Sequence, residues 1–186
     1  MLSYNEIKVR KYIVLDGTPY EVIASLVSSK QANKPTNQTK LKSLIDGKVV
    51  QKNFHSSEKV TEADIETKKI KYLYSNRGEV WFNEENNPKN RFSIAEDIIG
   101  DKLKFIKENA IVDAVVFNEK IIGIKLPIKV ELRVKEAPPA VRGNTAQGAN
   151  KQVTLETNLV INTPIFIKEG DLLRINTETG EYVERV

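Results

Sequence analysis

The feature that most constrains the fold is an alternation of apolar and charged residues with a period of two. Residues 129–135 read K-V-E-L-R-V-K, so Val130, Leu132 and Val134 share one face and the charged residues share the other. This pattern is typical of a strand with one buried face. Similar β-rich segments occur at residues 12–15, 20–23, 40–44, 70–74, 80–82, 111–117, 121–124, 159–161 and 172–175. The sequence therefore predicts an all-β protein.

Turn-forming pairs separate these segments. They are Asp16-Gly17, Asp46-Gly47, Arg77-Gly78 and Thr179-Gly180. Glycine and its polar neighbours are favoured in tight turns because they tolerate positive φ angles. Many short strands joined by frequent turns predict small barrels or sandwiches.

One segment predicts a short helix. Ser93 and Glu96 have the spacing of a capping box, in which the serine side chain accepts a hydrogen bond from a backbone N–H three residues later. Apolar residues follow at roughly helical spacing from Ile94 to Leu103. We expect Gly100 to limit this helix or to bend it.

Composition and missing motifs exclude several functional classes. The chain has no Cys and one His, which excludes a disulfide, a thiolate nucleophile and a cysteine zinc site. No motif for cradling a nucleotide occurs and the carboxylates are scattered, so no cofactor and no metal are predicted, with a carboxylate site for Mg²⁺ or Ca²⁺ as the alternative. The segment around His55 lacks a nucleophile-elbow motif, and we expect a structural or solvated His55, with a hydrolase as the alternative. No apolar run or secretory signal is present, which favours a cytoplasmic protein without a membrane segment.

Basic charge is concentrated in the N-terminal third. Residues 1–64 contain 10 basic and 7 acidic residues, whereas residues 129–186 contain 8 of each. Residues 22–45 have no acidic residue but include Lys30, Lys34, Lys40 and Lys42. Ammonium groups without nearby carboxylates attract phosphate and release its counterions. Residues 28–38, which have almost no apolar content, are predicted to form a projecting loop, either for RNA contact or simply solvated.

A second unusual stretch is A-P-P-A-V-R-G-N-T-A-Q-G-A-N-K at residues 137–151. Two prolines oppose helix formation there, and the glycines leave the backbone open. We interpret it as a long loop within the last β unit, which either approaches a nucleic acid through its backbone or is merely mobile.

Several motifs also follow one another in a diagnostic order. The first are I-V-L-D-G-T-P-Y-E-V-I (residues 13–23) and T-K-L-K-S-L-I-D-G-K-V (39–49). The last are E-A-P-P-A-V-R-G-N-T-A (136–146), K-Q-V-T-L-E-T (151–157), T-P-I-F-I-K-E-G-D (163–171) and T-G-E-Y-V-E-R-V (179–186). Single motifs are weak, but together the chain resembles the bacterial elongation factor P family nearly from end to end.

The resemblance implies an architecture and a function. It implies an SH3-like (KOW-type) barrel at residues 1–64 and two OB-type barrels at 65–128 and 129–186, in an elongated, tRNA-like arrangement. It further implies a monomer that binds the 70S ribosome between the peptidyl and exit sites and contacts peptidyl-tRNA. Such a factor promotes peptide bond formation at consecutive prolines without a catalytic residue of its own, because the ribosome performs the chemistry.

In the family, a loop of the first domain reaches the peptidyl-transferase centre and often carries a modified lysine within P-G-K-G. The corresponding residues here are Lys30, Gln31, Ala32, Asn33 and Lys34, with Ala32 at the tip. The usual lysine is therefore absent in this register. The resemblance favours an unmodified tip with Lys30 or Lys34 as the reaching cation, and a shift of register is the alternative.

Two further sites follow from the resemblance. Residues Gly143, Asn144, Thr145 and Gly148 match a third-domain loop that approaches the exit-site codon on the small subunit. Tyr182 and Arg185 match residues that contact tRNA, although Tyr182 is equally well interpreted as a packed strand residue. Asn158 replaces a glycine that is usual in the family. The alternative to an elongation factor is a general KOW/OB RNA-binding or ribosome-assembly protein.

Overall fold

The computed structural model describes residues 1–28, 35–139 and 150–186. Within these ranges the chain forms sixteen strands in three sheets, together with one short α-helix and one 3-10 helix. The all-β prediction is therefore confirmed. The chain divides into two compact units, residues 1–68 with 114–123, and residues 69–113 with 124–186. No helix in the described part of the chain is long and apolar enough to cross a bilayer.

The N-terminal sheet has the strand order β1-β6-β2-β3-β4-β5. Its strands are β1 Leu2–Ser3, β2 Tyr12–Leu15, β3 Thr18–Ser28, β4 Thr36–Ser43, β5 Val49–His55 and β6 Lys59–Glu62. Asp16 and Gly17 join β2 to β3 with φ angles of 49° and 77°, as their identities predict for a two-residue hairpin. Ile7, Ile13 and Leu41 are fully buried in the core of this sheet.

The central sheet has the order β11-β10-β7-β8-β9. Its strands are β7 Ile65–Asn76, β8 Glu79–Glu84, β9 Asn87–Ala95, β10 Ile111–Phe117 and β11 Lys120–Lys125. Arg77 and Gly78 form the predicted turn between β7 and β8, again with positive φ angles. Val80 and Phe82 alternate on the buried face of β8 and are completely enclosed.

The helix begins later than the capping-box spacing predicts. Ser93 belongs to β9 and pairs with Trp81, so the prediction that it caps the helix is wrong. The α-helix covers only Glu96–Ile99, with Ala95 at its N-cap and no side-chain cap. Ladder hydrogen bonds and burial of the neighbouring Ile94 outweigh the local capping option. Gly100 (φ 58°) ends the helix as predicted, and a 3-10 helix follows at Gly100–Phe105.

The C-terminal sheet has the order β14-β13-β12-β15-β16. Its strands are β12 Lys129–Glu136, β13 Asn150–Leu155, β14 Val160–Pro164, β15 Leu172–Asn176 and β16 Tyr182–Arg185. The predicted alternation in β12 is confirmed, since Leu132 and Val134 are buried, Val130 is partly buried, and the charged residues of the strand are exposed. Phe105 of the 3-10 helix packs against this core.

The strands extend further into the two predicted loops than composition indicates. β3 runs through Ser28 and β4 starts at Thr36, so the polar segment 28–38 is partly strand. Likewise, Asn150 and Lys151 begin β13 and do not belong to a loop. Polar residues form these strand ends because the ladder uses backbone groups, which every residue except proline supplies in full.

Candidate nucleic-acid interface

The long β3–β4 hairpin holds the ends of the first predicted loop. The two strands pair from Tyr20 opposite Ser43 to Ser28 opposite Thr36, with one bulge between Val22 and Ala24. The hydroxyls of these two residues lie 3.4 Å apart. The ladder thus holds Ser28 and Thr36, the last paired residues of the two strands, beside each other. Lys30, Gln31, Ala32, Asn33 and Lys34 themselves lie outside the described residues.

A buried amide ties this hairpin to the N-terminal segment. Asn37 is fully buried, and its Nδ2 donates to the backbone carbonyls of Tyr4 at 2.7 Å and Ile7 at 2.8 Å. Its Oδ1 lies 2.9 Å from the Oγ of Ser25, which is also 2.8 Å from the carbonyl of Ile7. Because a buried amide without partners is costly, this network fixes the position of β4 beside the loop.

The outer face of the hairpin is basic with an apolar edge. Lys40 and Lys42 of β4 are exposed, and neither has an ion-pair partner within residues 1–28, 35–139 and 150–186. Glu21 lies opposite Lys42 in the ladder without forming such a pair. Leu26 is 63% exposed close to the loop. This surface can therefore meet a phosphate backbone and an apolar group together.

The second predicted loop also lies outside the described residues. This applies to Gly143, Asn144, Thr145 and Gly148. On its described flanks, the Nζ of Lys151 donates to the backbone carbonyl of Pro138 at 3.0 Å. The strands on either side of the loop are thus joined by a side chain as well as by the ladder.

Tyr182 and Arg185 both lie on β16, at the edge of the C-terminal sheet. The ring of Tyr182 is partly buried against the sheet core, so packing is one of its roles. The guanidinium of Arg185 lies 5.7 Å from the centre of the Phe166 ring and 3.6 Å from a carboxylate oxygen of Asp171. Its side chain is still 51% exposed. Sequence analysis missed both of these partners, because nothing in the local sequence links residues 166 and 171 to the C-terminus.

A second arginine on this sheet, Arg174, forms ion pairs with two carboxylates. Arg174 donates to Glu131 at 2.8 Å and also to Glu184 on the neighbouring strand. These hydrogen bonds, first to Glu131 and then to Glu184, raise the pKa of Arg174. Since Arg174 forms ion pairs with residues of β12 and β16, its charge is neutralised within the sheet.

No described group has the geometry of an active site. His55 is exposed at the end of β5, and its ring makes no hydrogen bond to any described residue. A groove of about 870 Å³ lies between the helices and residues 156–158, but Lys104 pairs with Asp101 there at 2.7 Å, which lowers the pKa of that carboxyl. In the part of the chain that the structure describes, no cluster of three metal-binding side chains occurs.

Three family models match successive parts of the chain. The elongation factor P KOW-like domain matches residues 3–60, the elongation factor P OB domain matches 65–124, and the elongation factor P C-terminal domain matches 130–185. The chain belongs to the elongation factor P family. The resemblance and the predicted KOW and OB domain types are therefore confirmed, and family membership makes the chain a translation elongation factor. The domain boundaries at 64/65 and 128/129 stay predictions.

Individual relatives agree over the full length. Proteins named elongation factor P from Carboxydothermus hydrogenoformans and Coprothermobacter proteolyticus are 36% and 38% identical over 186 residues, with 100% of both chains covered. The protein of that name from Thermodesulfovibrio yellowstonii is 39% identical, over 100% of this chain and 99% of its own.

Solved structures support the fold at greater distance. The eukaryotic translation initiation factor 5A from Methanococcus jannaschii aligns with a TM-score of 0.52 and 16% identity, over 67% of this chain and 92% of its own. An initiation factor of the same family from Naegleria fowleri gives 0.51 and 12%, over 67% and 94%. At such identities these structures inform on architecture alone.

Proposed function

We propose that this elongation factor binds the 70S ribosome between the peptidyl and exit sites and promotes peptide bond formation at consecutive prolines by positioning peptidyl-tRNA. It acts in the cytoplasm as a monomer. The observation that carries the proposal is the full-length family match, combined with a hairpin whose described strands pair as far as Ser28 and Thr36.

The physical task suits a rigid hairpin. Proline has a fixed φ, which constrains the nitrogen that attacks the peptidyl ester. A factor that holds the peptidyl-tRNA end in a reactive geometry lowers the entropic part of the barrier. A 100-fold rescue requires about 2.7 kcal/mol of transition-state stabilisation. The buried network around Asn37 supports this task because it holds β4 in place. A hairpin that moved freely could not lower the entropic part of the barrier.

The loop tip works without enzymatic modification in this proposal. Ala32 occupies the tip position, and Lys30 or Lys34 supplies the cation that reaches the tRNA end. Intact-mass measurement of the native protein, followed by peptide mapping of residues 28–38, is expected to show unmodified lysines. Added mass on either lysine would reject this part of the proposal.

The C-terminal sheet supplies a second contact with tRNA. Asp171 and Phe166 hold the guanidinium of Arg185 in place, and half of the Arg185 side chain stays exposed. The guanidinium can therefore hydrogen-bond to a phosphate without first being ordered. Tyr182 contributes its remaining exposed edge. The loop that contains Gly143, Asn144, Thr145 and Gly148 approaches the exit-site codon.

The decisive experiment replaces Lys30 and Lys34 by alanine together. We expect at least a tenfold slower synthesis of a Pro-Pro-Pro peptide on purified ribosomes, which corresponds to about 1.4 kcal/mol, with ribosome affinity largely retained. Lys59→Ala is the matched control, since Lys59 is an exposed lysine of the same sheet in β6. It should behave as the unchanged protein.

Two outcomes would contradict the proposal. Equal rates of Pro-Pro-Pro peptide synthesis for the double variant and the unchanged protein would show that Lys30 and Lys34 take no part in the mechanism. The double variant could instead lose ribosome affinity, and the salt dependence of that affinity, with no specific effect on Pro-Pro-Pro peptide synthesis. That result would support the alternative of a KOW/OB RNA-binding or ribosome-assembly protein.

A further inference from the structure

The central sheet carries an aromatic pair, an exposed tyrosine and a half-buried tryptophan, that the proposed function does not use. Tyr74 of β7 and Trp81 of β8 stack with ring centres 6.1 Å apart and an angle of 21° between the rings. Tyr74 is 45% exposed. Two large aromatic side chains side by side on an outer face offer a flat, polarisable surface, which is how base-stacking sites are built.

A β-bulge places this pair on the outside. Tyr72 is opposite Phe82 and Tyr74 is opposite Trp81, so β7 has one extra residue, Leu73, between the two pairs. In a regular strand, without the bulge, Tyr74 would point to the same side as the buried Tyr72, because strand side chains alternate. Bulges redirect side chains in this way and are common beside functional sites. The aromatic pair is therefore a built feature of the strand.

Cations flank the pair in the next row of the sheet. Lys71 and Arg91 lie on either side of Asn83 across β7, β8 and β9, on the same side as Trp81. Asn83 itself is buried and donates to the carbonyl of Pro88, Lys71 is partly exposed and Arg91 is exposed. Neither Lys71 nor Arg91 has an ion-pair partner within residues 1–28, 35–139 and 150–186. This row lies two residues along the strand from the aromatic row, roughly 7 Å away. A single nucleotide spans such a distance between its base and its phosphate.

The acidic residue of this face lies at the other end. Glu79 closes the β7–β8 hairpin opposite Asn76, one row beyond Trp81 and away from the two cations. The face thus runs from positive through aromatic to negative. Phosphates fit the positive end, bases fit the aromatic middle, and a carboxylate can accept from the amino group of a base.

We infer that the outer face of β7, β8 and β9 binds unpaired RNA, with bases stacked on Tyr74 and Trp81 and phosphates on Lys71 and Arg91. A duplex does not fit this arrangement, since its bases are already stacked on one another. The inference is independent of proline rescue, because the site belongs to the central sheet and needs neither the hairpin of residues 18–43 nor a ribosome.

The chain provides its own probe for a test. Trp81 is the single tryptophan of the sequence. A fluorescence titration of the full chain with a single-stranded oligouridylate of about ten nucleotides, the size that one OB domain accommodates, is expected to quench Trp81. A blunt RNA duplex of equal length should bind at least tenfold more weakly.

Two variants examine the two halves of the face. Tyr74→Ala should weaken oligouridylate binding about tenfold, as expected for the loss of one stacking partner. Replacing Lys71 and Arg91 by glutamine should lower the slope of log affinity against log salt by about 1.4, or about 0.7 per lost phosphate contact on a single strand. Lys129→Gln removes one exposed charge from another sheet and should change neither quantity.

The inference is wrong if Trp81 is not quenched, if the duplex binds equally well, or if Lys129→Gln has the same effect as Arg91→Gln. It is also wrong if the variants lose ribosome affinity while the unchanged protein fails to bind oligouridylate, because the face would then contact a protein. Arg91 is exposed, so Arg91→Gln is expected to keep the thermal unfolding midpoint and to remain informative if Tyr74→Ala is poorly folded.

Discussion

Two arginines of the C-terminal sheet and two cations of the central sheet differ in their carboxylate partners. On the C-terminal sheet, Arg174 donates to Glu131 and Glu184, and Arg185 lies beside Asp171. On the central sheet, Lys71 and Arg91 face outward beside an aromatic pair, and no described carboxylate pairs with them.

This difference separates charges that the fold uses from charges that it leaves available. An exposed ion pair contributes little to stability, but it does fix the orientation of a side chain. Cations without a carboxylate partner instead repel one another and still attract an incoming phosphate. On the C-terminal sheet, Asp171 thus orients Arg185 for a phosphate. On the central sheet, Lys71 and Arg91 have no described carboxylate partner and can bind phosphate directly.

The largest expected effect distinguishes the two sides of β8. Phe82 is fully buried and packs against the rings of Tyr72 and Phe92, whereas its neighbour Trp81 faces outward. Phe82→Ala is expected to lower the free energy of unfolding by about 3–5 kcal/mol, the usual cost of removing a buried aromatic ring. Urea unfolding followed by circular dichroism measures the change.

Trp81→Ala serves as the comparison for this prediction. We expect it to cost less than half as much stability but to abolish most binding of a fluorescein-labelled oligouridylate. Equal destabilisation by both substitutions would mean that Trp81 is a core residue, and the outer face of the central sheet would lose its distinct character.

A second prediction asks whether the C-terminal sheet can be made to resemble the central one. Replacing Glu131 and Glu184 by glutamine removes both charged partners of Arg174. We expect the variant to bind RNA a few-fold more tightly at low salt, with a slope steeper by roughly 0.7, as one added phosphate contact gives. Filter binding at several salt concentrations measures it. An unchanged slope would show that the ion pairs of Arg174 do not decide whether it can bind an RNA phosphate.

Sequence patterns predicted the sheets wherever burial repeats every two residues. The segment around Leu132 and Val134 is the clearest case, because both positions are enclosed and their neighbours are charged. The glycine turns were equally predictable, since Gly17 and Gly78 have positive φ angles that other residues adopt only with strain. Asn158 shows the limit of that rule. It adopts a φ of 63°, as asparagine can without being glycine.

The remaining features depend on contacts between distant residues, which local patterns do not contain. Asn37 looks like a loop residue in sequence, yet it is buried because its amide satisfies two carbonyls of the N-terminal segment. The outward position of Tyr74 depends on a one-residue bulge that no alternation predicts. The single tryptophan beside a Tyr-Leu-Tyr segment was the only available hint of that face.

The smallest effect concerns a carboxylate that is committed to its own turn. Asp46 has its pKa lowered from 3.8 to about 2, first by the Ser43 hydroxyl and then by Lys48, whose ammonium lies 3.0 Å away. Since the folded pKa is depressed, its stabilising contribution is present above a pH near 3.8 and is lost as the pH falls toward 2. Asp46→Asn should therefore lower stability slightly at neutral pH, and this difference should disappear near pH 2.

Carbon-detected NMR titration of the Asp46 carboxyl measures the same quantity directly. We expect Ser43→Ala to raise its midpoint more than Lys48→Gln does, because the hydroxyl is the larger cause of the shift. The reverse order would mean that the lysine charge dominates, so that even an exposed turn pair acts mainly through Coulomb attraction.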